Sequence, residues 1–167
     1  MSLNKLLLLG DPDLHLKSTR VLREESDEIK YVVRQLHDTL MAFRLKYKAG
    51  RAIAAPQIGI KKRLIYLHLD KPTVLINPVI KNKSKEMIEV WDDCLCFPEL
   101  LVKVRRHKSC TIKYNDMEFQ EHKWDLEGDL SELLQHEYDH LEGILATQKA
   151  IDKKSFRHRP NIYNRIK

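Results

Sequence analysis

Residues 133–143 read LLQHEYDHLEG, and this segment restricts the fold more than any other in the chain. Leu130, Leu133, Leu134 and Leu141 recur at helical spacing and predict a helix. It should begin near Gly128 or Asp129, run past Leu141 and end at Gly143. His136 and His140 stand four residues apart, so that helix brings both imidazoles to one face, with Glu137 beside them. The H-E-x-x-H arrangement lets one helix offer two nitrogen ligands and keep a carboxylate next to the metal. The bare pattern also arises on surface helices, so a further ligand must decide between a metal site and two solvated histidines.

That ligand has two candidates in VWDDCLCFPEL, residues 90–100. Cys94 and Cys96 are one residue closer than the C-x-x-C of redox sites and zinc knuckles. In a strand, residues two apart face the same side, so both thiols can point one way. Either could instead be a small buried apolar residue. One thiolate with two neutral imidazoles gives a divalent ion three protein ligands and leaves a position for water. Glu137, close by but not coordinating, could then take a proton from that water and return it to a leaving group. Spacing alone leaves both cysteines open.

The rest of the composition sets the surroundings. Cysteine occurs three times in 167 residues, a sparse, odd number that argues against a disulfide framework and for a reducing compartment. No stretch approaches the roughly 18 apolar residues of a membrane span. The apolar run in MSLNKLLLLGDPDLHL is shorter than a signal core, so a cytoplasmic location is expected and no membrane partner. At 43% hydrophobic and 32% charged residues, the chain should fold around a real core. The net charge of +6 is dispersed, with basic groups at 61–63, 103–108 and 153–159. Such groups are either solvated faces or a surface for transient contact with a ribosome or nucleic acid.

Residues 27–47 carry Ile29, Val32, Val33, Leu36, Leu40, Phe43 and Tyr47 on one stripe, predicting a first helix that starts near Ser26 and ends before Gly50. Short strands are expected at 63–69, 74–76, 87–91, 111–114 and 119–124, punctuated by Pro72, Pro78 and YNDM. Helix, strands, then helix describes one α+β domain over residues 1–167, with a peripheral basic tail from Asp152.

GRAIAAPQ at 50–57, DDCLC at 92–96 and HEYDHLEG at 136–143 together resemble the three motifs of the peptide deformylase family, in the same order and at matching separations. The resemblance covers nearly the whole chain. It implies a peptide-deformylase-like α+β fold, with short antiparallel or mixed strands around a central metal-binding helix. On this resemblance, Cys94, His136 and His140 are the metal ligands and Glu137 is the catalytic acid–base. Gln57 and the Leu95 N–H become donors to the developing oxyanion, and Asp139 pairs with Arg106. The reaction implied is hydrolytic removal of a formyl group from the N-terminal methionine of nascent peptides. One divalent metal is implied, ferrous iron first, with zinc and nickel also used in the family.

The neighbourhood departs from the family pattern. Ala52 stands at a glycine position, Asp92-Asp93 replace Glu-Gly, Cys96 replaces serine, and Leu101 stands where many bacterial members carry an arginine. The resemblance places Arg51, Ala52, Ile53, Asp92, Asp93, Asp129, Glu132 and Leu133 around the substrate. Arg51, Asp129 and Glu132 fall where apolar pocket residues are usual. They either face solvent or put charge at the pocket mouth, where an apolar methionine tail would gain less from burial. Two other outcomes fit the residues. One is an amidase with a different N-acyl substrate; the other is a non-catalytic, metal-containing peptide- or ribosome-binding protein, with Cys96 as a fourth ligand.

Overall fold

A computed structural model describes residues 6–159. Helix α1 spans Ser26–Tyr47 and buries Ile29, Val32, Leu36, Leu40 and Phe43 along the expected stripe. It stops at Lys48, which is itself left-handed (φ 54°) and returns its N–H to the Arg44 carbonyl, two residues before Gly50.

Three strands follow: β1 at Ala52–Ala54, β2 at Leu64–His68 and β3 at Pro72–Lys81. The prolines read as punctuation are accommodated inside β3. Pro72 opens the strand, and Pro78 lies where the register with its neighbour shifts between Ile76 and Val79. Both are positions a strand can give to a residue without an N–H. Further along come β4 (Met87–Asp92), β5 (Leu100–His107), β6 (Ser109–Asn115) and β7 (Glu121–Glu127). The expected strand at 119–124 begins two residues late because Phe119 is left-handed (φ 59°), in a turn closed onto Asp116.

Strands β1, β2, β3, β6 and β7 form one antiparallel sheet in the order β1-β2-β3-β6-β7. A second sheet pairs β4 with β5 and adds β8, Phe156–His158, on the far side of β5. That short, exposed strand lies in the stretch expected to be peripheral tail; residues 160–167 of that stretch fall outside the described residues.

Helix α2, Gly128–Leu141, packs between the sheets, against β1 and β7 of the first and β5 of the second. Strand β2 explains how the larger sheet is covered on both faces. Leu64 and Tyr66 turn toward α1, while Ile65 and Leu67 turn toward α2. A strand sandwiched in this way reads as an unbroken apolar run. In β1 the same alternation sends Ile53 to the α1 side, while the small Ala52 and Ala54 face α2 and let it approach closely.

The C-terminus of α2 is closed twice over. Gly143 N–H reaches the His140 carbonyl and Ile144 N–H the Asp139 carbonyl, a Schellman arrangement. Gly143 is left-handed (φ 72°), and a Cβ there would collide with the His15 carbonyl. The last turn of α2 is thereby locked three residues after His140. Among the described residues, no helix is long and apolar enough to cross a membrane.

Candidate metal centre

Cys94, immediately after β4, meets His136 and His140 on the inward face of α2, and the ligand atoms of the three lie within 4.8 Å of one another. Cys94 Sγ is 3.3 Å from His140 Nε2, and the two histidine Nε2 atoms are 3.1 Å apart. All three side chains are buried. Burial pushes the Cys94 thiol well up from its usual range, and burial together with His136 pushes His140 well below its own. A thiolate is therefore stable here only beside a positive charge, which a divalent ion at the convergence point would supply. A soft sulfur with two imidazole nitrogens fits such an ion, and three donors leave a coordination position for water.

Cys96 does not complete a four-ligand set: it does not join this cluster, and its buried Sγ packs against Gln57 Nε2 at 3.5 Å. The structure thus separates the two cysteines that spacing left equivalent.

Behind the ligands stands a closed set of charges. Asp92 Oδ1 lies 2.8 Å from His136 Nδ1, and its Oδ2 accepts from Arg106 Nη2 at 2.7 Å. A carboxylate holding the Nδ1 proton keeps the Nε2 lone pair available to a metal. Burial opposes the charged ring of His136, but Asp92 outweighs it and the group is raised to about 9. Burial would likewise raise Asp92, yet His136 and Arg106 hold it well below the usual carboxylate range. Arg106 also bonds Asp139, as expected, so a single guanidinium ties the end of β4, the middle of β5 and α2 together. Gln135 adds a clip, accepting from His107 N–H at 3.0 Å and donating to the His107 carbonyl at 2.8 Å.

In front of the ligands lies a cavity of about 240 Å³. Glu137 lines it, buried, with Oε2 unbonded. Burial, reinforced by Asp92 and Glu132 against the pull of His136, raises Glu137 to about 7. Leu95 also borders the cavity, and its backbone N–H makes no hydrogen bond among the described residues. Gln57 sits in the tight turn Ala55–Ile58, fully buried. Its Oε1 accepts the Ala54 N–H at 2.8 Å, which leaves the Nε2 end facing the Cys94 and Cys96 sulfurs at 3.6 and 3.5 Å.

Of the expected substrate residues, Arg51, Ala52, Asp92, Asp93, Glu132 and Leu133 border the cavity. Two do not, and these are corrections. Ile53 is on the α1 face of β1, in the core, because alternation along the strand turns it away from α2. Asp129, one turn nearer the start of α2, is exposed and holds Arg51 from the solvent side. The contribution of Asp92 is also different from the one expected: both of its oxygens are engaged by His136 and Arg106. One cavity residue was absent from the sequence reading. Arg159, just beyond β8, reaches the rim and bonds Asp93 at 3.0 Å. Only the basic character of 153–159 hinted at it.

A two-layer α+β domain whose buried helix presents Cys/His/His with an adjacent carboxylate defines a metal-dependent hydrolase. The chain belongs to the polypeptide deformylase family, whose model matches residues 3–156. A peptide deformylase from Pseudothermotoga lettingae is 37% identical over 141 residues, covering 84% of this chain and 79% of the relative. Among solved structures, a peptide deformylase from Synechococcus elongatus in complex with actinonin superimposes with a TM-score of 0.82 at 32% identity, over 89% of this chain and 79% of that one. A class I type b peptide deformylase from Acinetobacter baumannii, solved with Met-Ala-Ser bound, gives a TM-score of 0.80 at 27% identity, over 89% and 99% of the two chains.

Proposed function

We propose that this chain hydrolyses the N-terminal formyl group of nascent peptides, releasing formate and a free amine, with the first residue's side chain seated in the cavity beside the metal centre. The observation that carries this reading is one opening shared by three features: the Cys94/His136/His140 cluster, the unbonded Glu137 carboxylate and the free Leu95 N–H. The cavity lies below the roughly 300–1,000 Å³ of pockets for whole small molecules and suits one side chain. The relatives named peptide deformylases, one with Met-Ala-Ser bound, support the same substrate class.

Cys94, His136 and His140 would hold the metal, which supplies Lewis acidity and a water acidic enough to be a nucleophile near neutral pH. Ferrous iron is our assignment, and the donor set also accommodates zinc or nickel. Glu137 takes the proton from the attacking water and delivers it to the departing amine; a carboxyl raised to about 7 is matched to both tasks. The Leu95 N–H and Gln57 Nε2 donate to the former formyl oxygen as negative charge builds on it. The sulfur contacts of Gln57 are long and weak, so little is lost when Nε2 turns to an oxygen. Asp92 keeps His136 in its ligating tautomer throughout. A cytoplasmic location and a transient encounter with the ribosome, where such substrates emerge, belong to the same reading.

The test is direct. Anaerobically prepared ferrous protein should release formate from formyl-Met-Ala-Ser, and Glu137→Ala should lower kcat by roughly 10²–10⁴-fold with metal content unchanged. Metal-loaded protein no faster than that variant overturns the assignment.

A further inference from the structure

We propose that Glu132 is a specificity-determining residue, and that the cavity favours a first residue with an amide side chain over one that is purely apolar. This rests on the proposed seating of that side chain in the cavity. Glu132 is 9% exposed, and its Oε2 has no hydrogen-bond partner. The nearest cation, Arg51 Nη2, stands 3.6 Å from that oxygen, beyond a normal hydrogen bond, while Arg51 Nη1 is bonded to Asp129.

The other charges around the cavity are already matched. Asp93 is bonded to Arg159, and Asp92 is shared between His136 and Arg106. Glu137 also has a free oxygen, but it is assigned to the proton transfers. Glu132 is therefore the acceptor left over at the side-chain wall, with an under-used guanidinium next to it.

An alkyl or thioether chain entering this space excludes water from Glu132 and gives nothing back, and a buried acceptor stripped of donors is costly. A primary amide does better on both sides: its NH₂ donates to Glu132 Oε2 while its carbonyl accepts from Arg51 Nη2. Because the amide carries both a donor and an acceptor, it matches Glu132 whether that carboxyl is charged or neutral. An ammonium group matches only the charged form and meets the Arg51 cation at the same oxygen. Sites built to hydrogen-bond a substrate group discriminate far more sharply than sites that sense only a missing methylene.

The experiment compares kcat/KM of the ferrous holoprotein for formyl-X-Ala-Ser, with X as glutamine, methionine, norleucine or lysine. The wild-type protein should favour glutamine over norleucine by about tenfold or more, and Glu132→Leu should move that ratio at least tenfold toward norleucine. A wild-type preference for norleucine and methionine over glutamine overturns the proposal, and this ratio is readable even if the leucine variant does not fold. A ratio that Glu132→Leu leaves unmoved also overturns it, and so does lysine outrunning glutamine. Turnover without discrimination removes this inference alone; no turnover on any of the four peptides with metal bound removes the hydrolytic reading as well.

Discussion

Two arginines address α2 from opposite sides of the site. Arg106 is 1% exposed and bonds two aspartates, Asp92 and Asp139, each of which has a further partner in His136 or Lys149. Arg51 is more than a third exposed, bonds the exposed Asp129 and only approaches Glu132. The first belongs to a closed network in which every charge fixes the position of another, and it ends at a metal ligand. The second spans an open rim where charges are loosely held. The difference separates the residues that set the chemistry from those that select what reaches it.

Breaking the closed network should cost most. Arg106→Leu leaves Asp92 and Asp139 buried without their common cation, and we expect a loss of about 3–5 kcal/mol in a denaturant titration of the metal-loaded protein. A loss below about 1 kcal/mol would show that the network is no tighter than the rim.

A subtler cut comes from Asp92→Asn, which keeps the shape but removes the charge opposite His136 Nδ1. Metal affinity, measured by competition with a chelator, should fall about 10–100-fold while the fold persists. Unchanged affinity would mean that His136 needs no carboxylate behind it.

The smallest effect is expected at the rim. Asp129→Asn should alter stability by no more than about 1 kcal/mol and leave metal affinity alone, since exposed pairs contribute little. A change in metal affinity there would join the two regions and break the contrast.

The sequence made these regions legible to different depths. The stripe of α1 and the His-Glu-x-x-His face of α2 were readable because a helix repeats its pattern over many turns. Strand β1 escaped, as three small residues carry no periodicity and alanine is a poor strand former. Strand β5 escaped for a more instructive reason. Its inward positions are Val102, Val104 and Arg106, and the buried arginine made the segment look like a patch of surface charge. At the site, the motifs named the ligands, but the inward turn of Asp92 depends on its place at the end of β4, opposite Val102. The course of the chain that brings Arg159 back to Asp93 has no local signature at all.

The collision that Gly143 avoids with His15 bears on the order of assembly. These residues lie near opposite ends of the described chain, so the turn that locks the ligand helix is finished only when the earliest segment docks against it. Cys94 and His140 are themselves 46 residues apart. Contacts so distant along the chain carry a large loop-closure entropy and form late on the route to the native state. The ion-binding pocket should therefore mature in the closing phase of folding, so adding metal to a refolding chain should change the rate of unfolding more than the rate of initial collapse.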